Sequence, residues 1–576
     1  MKNSLLGLLC VVFCLNNTYA QTSETMYAGN GEVQGIPYSM LIDIFKEFDE
    51  KSDKVLMEEA GETDTDYPLH VVYYSGDGRF DAKKWHEQNK VVILINNGIH
   101  PGEPDGMNAS VLLLDDILTG KVTVPDNIVL AFIPVFNVGG LINSRDHSRA
   151  NQNGPTHTGF RGNAQNLDLN RDFIKMDARE TRSLAKLMHK LDPDILIDNH
   201  VSNGADYQYV MTLLSTQHNK LGGPMGKYLN EKFEPNIYTE MKKHSFELVP
   251  YVNVWGTTPD KGWTAYSETP RYLSGFAAMF NTYAFVAETH MLKPFEDRIK
   301  STYELMRSIM DVASTKAAEI KDSRKQQKQW IKNSAELSIA WDVDTTKSTI
   351  IEFKGYDGQM ITSEVSGMPR LFYNKQKPYT KKVPLRNTYM TTQSVEVPKA
   401  YVVLQGWHDV IDRLKLNGVE MRKLEHDSTI TASIYYITDY KTVDAPYECH
   451  YLHSNIKVRK ESKSITVRKG DYIVPANQAA KRYIVETLEP TAPDGFFAWG
   501  FYDAILQQKE YFSAYVFEDM AAEMLTDNPE LQKEFEQKKK DDPEFAKSSR
   551  AQLHFMYLHS PYYEPEHMRF PVYRLE

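Results

Sequence analysis

Four short, continuously apolar runs set the tightest limit on what this chain can fold into: VVILINN at 91–97, NIVLAFIPVF at 127–136, DILIDN at 194–199 and YAFVAE at 283–288. Each is too short to span a bilayer, rich in β-branched or aromatic residues and bounded by turn residues, which is how strands buried on both faces of a sheet read. The segments between them carry helical periodicity, as in GMNASVLLLDDILTG and ARETRSLAKLMHKL. Upstream, YSMLIDIFKEFDEKSDKV reads as an amphipathic helix and YPLHVVYYSG as an alternating strand. Strands alternating with helices predict an α/β fold with a mostly parallel or mixed sheet covered by helices on both faces.

In such a sheet, chemistry collects beyond the carboxyl ends of the strands. The first run leads into GIHPGEPDG, where a Gly- and Pro-rich turn presents His100 and Glu103. An imidazole and a carboxylate at that spacing can converge on one point, and a two-histidine, one-carboxylate set with an open position is a catalytic zinc shell. The third run ends by delivering His200. Singly these are ordinary loop polars or structural hydrogen-bonders; at the ends of two predicted strands they form a His, Glu, His set. Between them, GFRGNAQNLDLNRDF at 159–173 carries Arg161, Asn170 and Arg171, and a planar guanidinium is the natural bidentate holder of a carboxylate. The fourth run brings up Glu288 after Phe285-Val286-Ala287. An acidic side chain there is costly to bury without a partner or a task, which makes it a candidate general base.

At 576 residues the chain is longer than one core usually supports, so two or three domains are expected. The net charge of −11 argues against a nucleic-acid partner and supplies no basic stripe for an anionic membrane. The first residues, MKNSLLGLLCVVFCLNNTYAQ, read as a signal peptide at 1–20 cleaved after Ala20, whose apolar core is too short for a membrane anchor. Cys10 and Cys14 would leave with it, and Cys449 alone could form no intramolecular disulfide. An exported product, periplasmic or secreted and without membrane insertion after cleavage, is therefore expected. The stretch from Arg298 to about Lys332 reads as one long charged helix leaving the catalytic region. Beyond it, STIIEFKGY, MPRLFYN, AYVVLQG, ITASIYYITDY and SITVRKGDYIVP are strand-like and DVIDRLKLNG is helical. The expected division is a catalytic domain at 21–325, a β-rich α+β accessory region at 336–495 and a mainly helical segment at 496–576. Lys538-Lys539-Lys540-Asp541-Asp542 reads as a solvated helix end, and the aromatics of DGFFAWGFYD as core.

The ordered set of H-x-x-E at His100 and Glu103, R-x-N followed by DLNR from Arg161 to Arg171, the strand-borne His200 and a glutamate after the last apolar strand resembles the zinc metallocarboxypeptidase family of the carboxypeptidase A type. The resemblance covers roughly residues 25–320, and RYLSGFAAMFNTYAFVAETHMLKPFEDR with the ending FPVYRLE is similar to large exported bacterial members. It implies one Zn2+ per chain on His100, Glu103 and His200, with Glu288 as base. Arg161 would polarise the scissile carbonyl, and Asn170 and Arg171 would hold the terminal carboxylate of a peptide substrate. A mobile tyrosine that closes over the substrate would be Tyr266 or Tyr272, and Leu273 would fall near the specificity position, favouring an uncharged side chain. Val201-Ser202-Asn203-Gly204 stands where the archetypal enzymes carry a Ser-Tyr pair, which puts the substrate subsites in doubt and leaves the metal set intact. A second enzyme reading is a zinc amidase or deacylase acting on cell-wall peptides or N-acyl amino acids, since aspartoacylases and succinylglutamate desuccinylases share H-x-x-E and the Asn-Arg pair. A reading from another class is an inactive relative that binds peptides or glycans. Oligomeric state is not legible.

Overall fold

The computed structural model describes residues 33–576; the segment 1–20, expected from the sequence to be a signal peptide, lies outside the described residues. Helix α1 (Tyr38–Lys51) precedes strands β1 (Val55–Gly61), β2 (Leu69–Ser75) and β3 (Val91–Asn97), then α2 (Asp105–Leu118) and β4 (Ile128–Ile133). After a long loop come α3 (Arg179–Leu191), β5 (Ile195–Ser202), β6 (Met211–Ser215), β7 (Leu248–Pro250), α4 (Leu273–Met279) and β8 (Tyr283–His290). These strands form one eight-stranded mixed sheet in the order β1-β2-β4-β3-β5-β8-β6-β7. Its centre, β4-β3-β5-β8, is parallel, and β1, β2 and β6 join antiparallel.

Alternation along the central strands decides which side chain meets which layer. Ile93 and Ile95 of β3, with Ile195 and Ile197 of β5, pack against Leu41 and Phe45 of α1 and Leu113 and Leu114 of α2. Leu94 and Leu196 point the other way, into a layer with Leu184 and Leu187 of α3 and Phe276 of α4. That second layer is continuous with Tyr401, Val403, Ile411 and Trp499 from the C-terminal part of the chain. The later elements thus help to bury a face of the eight-stranded sheet.

The expected single charged helix is two: α5 (Phe295–Thr315) and α6 (Ala317–Asn333). The break falls at Lys316, with φ −111° and ψ 13°. Just before it, the Thr315 hydroxyl donates back to the carbonyls of Asp311 and Val312 at 3.1 Å each, the kind of local bond that competes with helix continuation. Beyond α6, β9 (Thr349–Thr362) and β10 (Pro369–Arg386) make a long hairpin. A six-stranded sheet then gathers β11 (Ala400–Val403), β12 (Ser428–Thr442), β13 (His453–Val467) and β14 (Tyr472–Pro475) with Arg422–Lys423. Its sixth strand is the chain end, β15 (Val572–Leu575), inserted between β11 and β12. Helices at Ala514–Asp527, Pro529–Asp541, Pro543–Lys547 and Ser549–Leu558 carry their own small core around Phe517, Phe535 and Tyr557. Among the described residues no helix is long and apolar enough to cross a membrane.

Candidate metal centre and substrate cleft

The parallel register of β3, β5 and β8 places the site. Asn97 pairs with Asn199 and His200 with Glu288, so three neighbouring strands release their functional groups at one edge. The turn after β3 begins at Gly98 with φ +64°, a left-handed conformation that costs glycine little. Gly106, in the first turn of α2, approaches β5 so closely that a Cβ there would stand 2.4 Å from the Asn199 Cβ. That contact presses the turn bearing His100 and Glu103 onto the strand bearing His200.

His100, Glu103 and His200 are each buried, and one ligand atom from each lies within 4.8 Å of the others. Both imidazoles turn Nδ1 toward the Glu103 carboxylate: His100 Nδ1 is 3.3 Å from Oε1 and His200 Nδ1 is 3.1 Å from Oε2. Their far nitrogens each meet a carboxylate, His100 Nε2 at 2.9 Å from Asp168 Oδ1 and His200 Nε2 at 3.0 Å from Asp198 Oδ2. Asp198 shares a strand face with His200 two residues on, and Asn96 Nδ2 donates to its other oxygen at 3.0 Å. This is the outer-shell arrangement that orients metal-binding imidazoles and raises their basicity.

The donor set fits zinc on an observation internal to the protein: His100 Nδ1 is buried without a hydrogen-bond partner and points at the Glu103 carboxylate and the second imidazole. The local field favours positive charge there. Burial opposes ionisation of His200, but the Asp198 and Glu103 carboxylates outweigh it and hold its pKa well above the ordinary imidazole value. Burial likewise raises Glu103, and Arg149 and His100 overcome it, keeping the carboxylate ionised. Arg149 Nη2 donates to Glu103 Oε1 at 2.8 Å, and the Val201 amide donates to Oε2 at 2.9 Å.

Glu288 lies partly exposed on β8 beside this group. Burial pushes its carboxyl up to about 8, with nearby Glu103 and Glu268 adding to the shift and His200 opposing it. Arg161 is exposed and donates through Nε and Nη2 to Asp168 Oδ2 at 3.0 and 2.9 Å, which ties it to the His100 side of the site. Asn170 is buried, and its side-chain oxygen has no partner among the described residues. Arg171 donates through Nη1 to the Asn170 carbonyl at 2.7 Å and through Nε to the Tyr447 hydroxyl at 3.0 Å. Its guanidinium lies 4.4 Å from the centre of the Tyr272 ring, and the Tyr272 hydroxyl is 2.5 Å from that of Tyr266. Both candidate tyrosines therefore lie on the Arg171 side of the cleft. Leu273 is fully buried in the core at the start of α4 and offers no surface to a ligand. A cavity of about 270 Å3 opens beside Tyr266, walled by Lys220, Trp341, Tyr389 and Asp494.

Asp168, Asp198, Arg149, Glu268, Tyr447 and Glu448 escaped the sequence reading as site groups. Asp198 had a signal, an acidic residue two positions before a strand-borne histidine. Asp168 stands inside the DLNR run itself. For Arg149, 46 residues from Glu103, and Tyr447, 276 residues from Arg171, no local pattern exists.

Comparisons with known proteins follow the same lines. The family model for zinc carboxypeptidases matches residues 42–209. "Carboxypeptidase 2" of Trichophyton rubrum is 21% identical over 428 residues, covering 71% of this chain and 74% of that protein. "Carboxypeptidase 2" of Trichophyton tonsurans is 21% identical over 429 residues, covering 72% and 74%. Among solved structures, carboxypeptidase A from Helicoverpa armigera is 12% identical with a TM-score of 0.36, covering 54% of this chain and 82% of that one. A metallo-carboxypeptidase from Burkholderia cenocepacia is 15% identical with a TM-score of 0.36, covering 48% and 70%.

Proposed function

We propose that this chain, whose residues 42–209 match the zinc carboxypeptidase family model, is an exported enzyme of that family that removes C-terminal residues from peptides. One Zn2+ is held by His100, Glu103 and His200, Glu288 is the general base, and Arg161, Asn170 and Arg171 handle the substrate carbonyl and carboxylate. The observation that carries the reading is the pair of inward Nδ1 atoms, one of them orphaned, each backed by a carboxylate on its far nitrogen. When bound, zinc supplies an activated water near neutral pH and a Lewis-acid contact for the carbonyl oxygen.

The chain's own residues do the rest. Glu288, paired with His200 across neighbouring strands, stands beside the metal-binding group where its carboxylate can take a proton from the attacking water and return it to the departing amine. Among the described residues Arg171 Nη2 makes no hydrogen bond, the Nη1 and Nε donors being engaged, and so presents an open edge to a carboxylate. That anchoring converts binding energy into alignment of the scissile bond. Arg161 adds a preorganised positive charge for the oxygen on which negative charge develops. Tyr266 or Tyr272 closes the cleft over the substrate.

The test measures zinc content together with release of amino acids from a mixed peptide library. Wild type is expected to release single C-terminal residues, and His100→Ala to lose both zinc and release. Glu288→Gln is expected to keep zinc and lose turnover by about 10²- to 10⁴-fold; normal turnover in that variant ends the assignment of the base. Zinc-loaded wild type that ignores peptides but cleaves N-acyl amino acids transfers the protein to the deacylase reading.

A further inference from the structure

The strands β12 and β13 pair over their whole length, and their connecting tip reaches the catalytic cleft. At that tip, Tyr447 and His450 exchange backbone hydrogen bonds at 2.8 and 3.1 Å, closing a turn over Glu448 and Cys449. Both central residues have positive φ, 47° and 66°, as a two-residue type I′ hairpin turn requires. That turn normally uses Asn or Gly at these positions. A turn built from unfavourable residues persists when surrounding contacts over-determine it, and strain of this kind clusters at ligand clamps.

Three polar contacts go to the segment carrying the candidate clamp. Glu448 Oε2 accepts the Asp168 amide at 2.9 Å, the Tyr447 hydroxyl accepts from Arg171 Nε at 3.0 Å, and His450 Nε2 lies 2.8 Å from Asp177 Oδ2. Tyr447 stacks on the buried Trp499, with ring centres 6.2 Å apart at 24°. Its oxygen accepts from Arg171, which leaves the hydroxyl's own proton available as a donor. A hydroxyl that accepts from a clamp guanidinium and holds a spare proton beside the free edge of that guanidinium is a second donor aimed at whatever anion the guanidinium binds.

We propose that the hairpin tip at 443–452 completes the substrate-carboxylate site, with Tyr447 donating a hydrogen bond to the terminal carboxylate held by Arg171. The inference rests on the carboxypeptidase reading above and assigns a task to part of the C-terminal region. Glu448 and His450 act as positioning residues, fixing the tip to the 168–177 segment.

The test is Tyr447→Phe in the full-length zinc enzyme, which keeps the ring on Trp499 and removes only the hydroxyl. A hydrogen bond to a charged group lost in both ground and transition states appears chiefly in KM, and the expected rise is about tenfold or more, with a smaller change in kcat and the zinc content of wild type. The second readout is inhibition by an N-acylated amino acid against its C-terminal amide. Wild type is expected to prefer the acid, and Tyr447→Phe to narrow that preference. A purely structural tip would leave the acid-to-amide ratio unchanged. Arg171→Ala is the control for the underlying reading. If Arg171→Ala raises KM and Tyr447→Phe keeps the wild-type KM and acid preference, the proposal is overturned and the carboxypeptidase reading stands. If Arg171→Ala changes neither quantity, the clamp itself is misassigned and the proposal falls with it.

Discussion

Replacing Asp168 by Asn probes how far the proposed metal centre depends on a residue that is not among its proposed ligands. The Asp168 carboxylate accepts from His100 Nε2 at 2.9 Å, from Arg161 Nε and Nη2 at 3.0 and 2.9 Å and from the Asn170 amide at 3.0 Å. Its charge is held by these partners: burial raises its pKa, but His100 and then Arg161 and Arg171 drive it far below the usual carboxylate range. Asparagine keeps the volume and removes the charge. With its single carbonyl turned to His100, its amide group meets the Arg161 guanidinium donor to donor; turned the other way, His100 loses its acceptor. Either orientation lowers the basicity or the fixed tautomer of His100. Outer-shell losses of this kind cost about 10- to 100-fold in metal affinity, or about 1.4–2.7 kcal/mol. The assay is a zinc dissociation constant by competition with a chromophoric chelator, on protein shown by circular dichroism to be folded. Asp198→Asn should weaken zinc by a similar factor through His200. Zinc affinity within twofold of wild type in both variants would refute the idea that these carboxylates set the ligands.

Two further predictions concern the frame around the site. Arg298 is fully buried and bonds Asp105 Oδ2 at 3.0 Å as well as the carbonyls of Asn153, Gly154 and Lys293 at 2.9, 2.7 and 2.8 Å. Arg298→Ala leaves a buried carboxylate and several carbonyls unpaired, so a loss of about 3–5 kcal/mol is expected in denaturant unfolding; a loss under 1 kcal/mol would show that water replaces the guanidinium. Glu234, at the start of the helix Glu234–Lys243, has a carboxyl that burial pushes up to about 7. Because the folded value lies above the unfolded one, its contribution is favourable below the unfolded pKa of about 4.3 and is lost as pH rises through the folded value of about 7. Glu234→Gln should therefore raise the Tm relative to wild type at pH 8 more than at pH 5, and a pH-independent difference would contradict that assignment.

The central strands were readable because buried parallel strands advertise themselves by unbroken apolar runs: 91–97 and 283–288 lie within β3 and β8, and 194–199 overlaps β5 from Ile195 on. Local order also made His100, Glu103 and His200 visible, since each follows or ends such a run. The antiparallel flanks were less so: β6 and β7 are short and flanked by loops, and their place beyond β8 follows from packing that no local pattern encodes. The helix break at Lys316 is a change of backbone angles at a single residue, below what periodicity resolves.

Local chemistry along the chain sets the order of the short-range events: which segments become strands, and which polar residues those strands deliver at their ends. The partners that arrive from far along the chain are chosen by the packing of the whole fold. Asp168 reaches His100 across 68 residues, Arg149 reaches Glu103 across 46, and Tyr447 reaches Arg171 across 276. A strand's hydrogen-bonding period constrains its neighbours a few residues away, so local groups can be read from spacing. A contact closed through a long loop is selected by the packing of whole layers, here the shared core that joins Leu94 and Leu196 of the catalytic sheet to Tyr401 and Trp499, and it leaves no trace in the pattern of either segment alone.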